Sequence, residues 1–171
     1  MAKVNRGKDF EQEVRDAFER VPQTSVDRLI DPQNGYAGVR NICDFIIYHY
    51  PIEFYIECKS CYGNTLSIHT NNPKNRYGNI TNNQWEGLLE KSEIDGVVAG
   101  YIIWFIDNDI TLFVPAKVMS KHKELGNKSF NVKKEWPDGC FEISGKKKRV
   151  LFEYDMSYFI ENFGGKLDGT N

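Results

Sequence analysis

Between Asp44 and Ser60 the chain reads DFIIYHYPIEFYIECKS, a largely aromatic and aliphatic run in which a few charged side chains stand out. Asp44 opens it, and Glu57 and Lys59 lie near its end, two residues apart. Pro51 marks a turn in the middle, so the run reads as two strands of a hairpin. Alternate residues of a strand share a face, which puts Tyr55, Glu57 and Lys59 on one side and Phe54, Ile56, Cys58 and Ser60 on the other. Asp44, Ile46 and Tyr48 share a face of the first strand. Antiparallel pairing around Pro51-Ile52 carries Asp44 to the far end of its partner, where Glu57 and Lys59 lie. Two carboxylates and one ammonium then converge at one mouth of the hairpin.

That set suits metal-assisted hydrolysis of a phosphodiester. Magnesium takes oxygen ligands in octahedral geometry and keeps several waters. Asp44, Glu57 and the backbone carbonyl of Cys58 can supply three oxygens. A cation lowers the pKa of bound water. Lys59 can hold that water or offset charge building on the phosphorus. The competing reading is an exposed cross-strand ion pair, worth about 0–1 kcal/mol. The apolar flanks favour the first reading, since a carboxylate in a buried-type strand costs several kcal/mol unless paired or metal-bound.

The elements that must position these residues follow from periodicity. Residues 7–20 form an amphipathic helix with Phe10, Val14, Ala17 and Phe18 in one stripe, stopped by Pro22. TSVDRLI is a strand, and DPQNGYAGVRN a loop. Residues 61–80 are rich in Asn and Gly and read as an irregular excursion with a short strand at TLSI. Thr81 or Asn82 caps a helix running to about Glu93, with Trp85, Leu88 and Leu89 inward. GVVAGYIIWFI is a central strand buried on both faces, and NDITLFVP returns beside it after a turn at Asp107–Asp109. A short helix covers 116–123, RVLFEY is a late strand, MSYFIENF a closing helix, and the tail from about 164 to 171 is frayed. Lys128 to Ser144 carries no clear pattern. The expected fold class is α/β or α+β, one mixed sheet flanked by helices, in a single domain over residues 1–171.

The 171 residues include 40% hydrophobic and 27% charged side chains, an ordinary globular balance, and the net charge of −2 does not advertise a nucleic-acid binder. GKKKRV, from Gly145 to Val150, is the one dense basic run and reads as a solvated hairpin turn; Lys133-Lys134 lies upstream of it. No apolar run reaches membrane-span length and no signal-peptide core is present, so no membrane association and a cytoplasmic location are expected. Of Cys43, Cys58, Cys61 and Cys140, the pair Cys58/Cys61 has zinc-like CxxC spacing. Residues three apart on a strand face opposite ways, which argues for buried thiols instead. His49, His69 and His122 have no metal-ligand spacing, and no nucleophile is placed with a His in triad fashion.

The pattern CDF(x)12ECK resembles the PD-(D/E)xK nuclease signature, with the Pro-Asp step written as Cys43-Asp44 and the carboxylates thirteen residues apart. RGKDFEQEV is similar to the openings of archaeal and RecU-type Holliday-junction resolvases. In those, a first-helix Glu joins the metal site; Glu11 matches it, with Glu13 as the substitute. NNQWEGL supplies Gln84 where the superfamily has a helix carrying Gln. The run from Arg28 through the hairpin resembles RecU-like resolvases of phages of Gram-positive bacteria, and the likeness covers roughly residues 5–115. It implies a restriction-endonuclease-like core and a Mg²⁺- or Mn²⁺-dependent endonuclease acting on four-way or other branched DNA in recombination or repair. It also implies a homodimer, in a bacterial or phage-infected bacterial cell. The stalk insertion of cellular RecU enzymes is missing, since only Asp31 to Cys43 separates the preceding strand from Asp44. Junction selectivity is therefore less well supported than phosphodiester cleavage, and the Asn-rich segment 61–83 is an alternative contact surface.

Phosphate contacts are assigned to Arg28 and Arg40 beside the loop, Arg6 and Lys8 on the first helix, and Lys74 and Arg76 in the Asn-rich segment. Simple solvation or local pairing, such as Arg28 with Asp31, is the competing reading of each. Tyr36 and Tyr77 could stack on unpaired bases. The GYIIWFI strand and the aromatic C-terminal helix are candidate dimer surfaces. Two further readings remain open: a restriction- or repair-type endonuclease on the same core, and a DNA-binding scaffold that does not cleave.

Overall fold

A computed structural model describes residues 5–29, 41–68 and 79–165. In order these form α1 (Arg6–Glu19), β1 (Ser25–Arg28), β2 (Phe45–His49), β3 (Ile52–Cys61), β4 (Thr65–Ser67), α2 (Asn82–Lys91), β5 (Val97–Phe105) and a 3-10 turn (Ile106–Asn108). There follow β6 (Ile110–Pro115), α3 (Ala116–Glu124), β7 (Ser129–Asn131), β8 (Phe141–Glu142), β9 (Gly145–Lys147), β10 (Phe152–Tyr154) and α4 (Ser157–Asn162).

Six strands make the main sheet, in the order β1-β2-β3-β5-β6-β8. β3 and β5 run parallel and the other neighbours antiparallel. A parallel pair needs a crossover, and the segment containing α2 provides it. The alternation of β3 divides the core in two. Phe54, Ile56 and Cys58 face one layer together with Ile102 and Trp104 of β5, covered by Phe10, Val14 and Phe18 of α1 and Phe159 and Ile160 of α4. Tyr55 and Cys61 face the other layer with Ala99, Tyr101, Ile103 and Phe105, covered by Leu88 of α2 and Met119 of α3. The architecture is thus a mixed α+β sheet with helices on both faces.

α1 begins where Asn5 accepts from the Lys8 backbone N–H, and the stripe Phe10, Val14, Ala17 and Phe18 is buried as its spacing predicts. Cys58 and Cys61 belong to opposite layers, as strand alternation requires. Of TLSI, Thr65–Ser67 form a strand, and their partner is Ser129–Asn131, so a pairing partner came from the stretch that had no legible pattern. RVLFEY is a strand only over its last three residues, which pair with Gly145–Lys147. Lys147 there pairs with Asp109, and Lys148 with Glu13 at 2.8 Å. Two of the four cations in the basic run are therefore paired with the chain's own acids.

One expectation needs correction. The GYIIWFI strand is β5, interior to the sheet and covered on both faces, with Trp104 and Phe105 almost fully buried. An apolar run this long is needed to fill two layers at once, so it offers no dimer surface. The arginine, lysine, tyrosine and histidine candidates Arg40, Lys74, Arg76, Tyr36, Tyr77 and His69 lie outside the described residues.

Phe159 of α4 is ringed by Phe18, Phe54, Phe113, Phe141 and Phe163, with centroids 5.0–5.7 Å away. Phe159→Ala should lower the unfolding free energy by about 3–5 kcal/mol, read from urea denaturation. A loss under about 1 kcal/mol would mean that this layer is not packed as described.

Candidate active site

The hairpin register puts Phe45 opposite Ile56, and the Asp44 N–H still donates to the Ile56 carbonyl at 3.1 Å. The next rung therefore sets Asp44 across from Glu57, on the same face. Asp44 Oδ2 accepts from the Cys58 N–H at 2.7 Å. Strand alternation points the Cys58 carbonyl to that same edge of β3, beyond the end of β2. Glu57 is only 3% exposed. Its Oε1 receives Lys59 Nζ at 2.6 Å and Gln84 Nε2 at 2.6 Å. Its Oε2 is buried with no hydrogen-bond partner among the described residues. Lys59 Nζ also donates to Gln84 Oε1 at 3.2 Å.

Gln84 reaches the sheet from the first turn of α2. Thr81 caps this helix: its side chain accepts from the Gln84 N–H, and the Thr81 N–H donates back to Gln84 Oε1 at 3.1 Å, closing a capping box. The same turn touches the segment leading into Asp44. Asn83 Nδ2 donates to the Asn41 carbonyl at 3.0 Å. Gly87 faces Ile42 so closely that a Cβ there would fall 2.3 Å from Ile42 Cγ2, so only glycine permits this approach. Of these contacts, only the cap at Thr81 was anticipated from the sequence. The T-x-x-Q step at Thr81–Gln84 is the signal that points to the box; the Asn83 and Gly87 contacts are tertiary and leave no local trace.

Glu11 arrives from α1, in the opposite layer. Its Oε2 pairs with Arg28 of β1 at 3.0 Å. Arg28, assigned to phosphate or to Asp31, is thus engaged by a site carboxylate. Glu13 turns instead to Lys148, with both carboxylate oxygens at 2.8–2.9 Å from Nζ. The first turn of α1 lies near the C-terminal end of β3, since a methyl built on Gly7 would be 3.8 Å from Ser60 Oγ. Arg6 and exposed Lys8 are therefore at the same end of the sheet as Lys59. His49 and His122 serve the fold: His49 Nδ1 pairs with Thr24 Oγ1 at 2.8 Å and His122 Nε2 lies 3.2 Å from the Ser129 carbonyl.

Burial dominates the electrostatics. It lifts the pKa of Glu57 to about 8, against the lowering effect of Lys59 and helped by the charge of Asp44. Asp44 is raised by burial as well, despite its bond from Cys58 and the nearby Lys59 and Arg28. Glu11 is raised by burial first and by Asp44 next, with Arg28 opposing. Three carboxyl groups thus sit where negative charge is poorly solvated and where each feels another.

Such a place favours a cation. The donors are all oxygens, suited to a hard divalent ion of the magnesium class. One buried carboxylate oxygen lacks a partner, which is uncommon in folded proteins. Asp44, Glu57 and the Cys58 carbonyl are the groups that could hold the ion, with Glu11 in reserve while it pairs with Arg28. As they stand, no three His, Cys, Asp or Glu side chains among the described residues are gathered into a finished site. The residues fit the ion by chemistry, and Glu11 would have to leave Arg28 to complete the set.

In the absence of divalent ions, stability should fall as pH rises. The unfolded Glu57 ionises near its ordinary 4.5 and the folded one near 8, so between these values the fold holds a proton that the unfolded chain has lost. Thermal unfolding in chelator from about pH 5 to about pH 8 reads this, and Glu57→Gln should flatten the decline. A rising stability over that range would contradict the burial of this carboxyl.

No protein-family profile matches the chain, and no curated protein matches it. Solved structures do match. One is Hjc of Archaeoglobus fulgidus, a Holliday junction resolvase from an archaeal hyperthermophile. It is 17% identical, over 66% of this chain and 78% of that chain, with a TM-score of 0.46. That likeness is slight, and any functional reading rests on the site itself.

Proposed function

We propose that the protein is a divalent-cation-dependent endonuclease that cuts branched DNA, four-way junctions included. One observation carries the reading: Glu57 lies directly across the hairpin from Asp44, with one carboxylate oxygen bonded to Lys59 and the other buried without a hydrogen-bond partner among the described residues. The resemblance of Asp44, Glu57, Lys59, Glu11 and Gln84 to the nuclease motif supports it from the sequence side. The basic residues Arg6 and Lys8 at the same end of the sheet suit a polyanionic substrate.

The ion, when bound, would supply Lewis acidity to a phosphoryl oxygen and to water. Asp44 and Glu57 would hold it, and its charge would favour the ionised form of a Glu57 that burial otherwise keeps protonated up to about pH 8. Lys59 brings a positive charge to the reacting centre, where it orients water or offsets negative charge developing on phosphorus. Gln84 keeps Glu57 and Lys59 in fixed relation, so that neither side chain swings away. Two symmetric cuts across a junction imply a two-fold dimer.

The test is cleavage of a labelled four-way junction and of linear duplex with Mg²⁺. The wild-type chain should cut the junction in preference. Asp44→Asn should abolish cutting while junction binding remains. Lys59→Ala should slow the cut by about a hundredfold or more with binding nearly unchanged. Equal losses of binding and cutting in Lys59→Ala would make Lys59 a binding residue. Junction binding without any cleavage above the Asp44→Asn level would make the protein a scaffold.

A further inference from the structure

We propose that Thr81 is a positioning residue for the site, and that the start of α2 acts as a brace across the two strands bearing the carboxylates. Five contacts converge in that one turn. Thr81 Oγ1 accepts from the Gln84 N–H at 3.3 Å, and the Thr81 N–H donates to Gln84 Oε1 at 3.1 Å. That same Oε1 receives Lys59 Nζ, while Nε2 of the same amide donates to Glu57. One residue earlier in the turn, Asn83 holds the Asn41 carbonyl, three residues before Asp44.

An unrestrained glutamine side chain turns about three torsions and can present its amide in either sense. Here the cap removes that freedom. Oε1 must face the Thr81 N–H, which leaves Nε2 aimed at Glu57. A glutamine amide has two acceptor lone pairs on its oxygen, and this one uses them on Thr81 and Lys59. Loss of the Thr81 hydroxyl removes its bond to the Gln84 N–H and loosens the turn that holds the Thr81 N–H against Gln84 Oε1, which releases Gln84 and with it the relative placement of Lys59 and Glu57. This capping box shares its glutamine side chain with Lys59 and Glu57.

The effect on turnover presupposes the nuclease reading above, and the side-chain geometry does not. The full chain carrying Thr81→Ala is compared with Thr81→Ser, which keeps the hydroxyl, and Thr81→Gly, which lacks it at a smaller cost to the helix start. Asp155→Ala serves as the control. It removes the side chain that accepts from the Ser157 N–H at the start of α4. The readouts are junction cleavage with Mg²⁺ and the side-chain amide signals of Gln84 in ¹⁵N–¹H spectra.

In Thr81→Ala and Thr81→Gly the Gln84 amide signals should move toward those of a free glutamine. Turnover should fall about ten- to a hundredfold with KM for the junction within about twofold, and Thr81→Ser should restore both. Unmoved Gln84 signals in the variants without the hydroxyl would overturn the proposal. So would an equal loss of turnover in Asp155→Ala at a matched loss of Tm. If the wild-type chain cuts no DNA, the nuclease reading fails and the Gln84 signals alone decide the role of Thr81.

Discussion

The carboxylate of Glu57 is the constraint around which the rest is arranged. It lies inside a sheet between two apolar layers, where an isolated charge is unstable by several kcal/mol. Its neighbours answer that cost. Lys59 and Gln84 engage one oxygen, and the other has no hydrogen-bond partner among the described residues. A protein selected for stability alone would place a hydrophobic residue there. An acid stands there instead, with Asp44 across from it and a third acid near by, and burial raises the pKa of all three.

That choice propagates outward. β3 must be long enough to serve the core with Phe54 and Ile56 and still carry Glu57 and Lys59 to the end of β2. α2 must come close enough for a side chain to reach the strand, which requires glycine at position 87 against Ile42. α3 supports α2 from outside, with Lys123 Nζ 4.8 Å from the ring centre of Trp85. On the other face, α1 is fastened by Phe10 against Trp104, with ring centroids 5.6 Å apart, which sets Glu11 at the sheet's end beside Arg28.

The hairpin geometry was legible because it depends on a period of two and a short turn, both local properties. So were α1 and the burial of β5, whose patterns are long. The Asp44–Glu57 juxtaposition follows from the same arithmetic. What was not legible is tertiary. Nothing in RGKDFEQEV says that Glu11 pairs with Arg28 while Glu13 pairs with Lys148, since the choice depends on which way α1 is rolled against β1 and the β9-β10 hairpin. Residues 128–144 gave no pattern because their strands are two and three residues long, too short for alternation to register. The apolar excess of β5 was correctly read as burial, and its reading as a dimer surface failed because the same excess cannot face inward and outward at once.

The order in which these residues leave the ribosome has a consequence of its own. Glu11, Asp44, Glu57, Lys59 and Gln84 all precede β5, yet α2 rests on β5, and β3 gains its parallel neighbour only when β5 exists. A nascent chain cut short after α2 holds every polar group of the site and none of the surface that would seat them together. Synthesis must run through the central strand before the constellation can close.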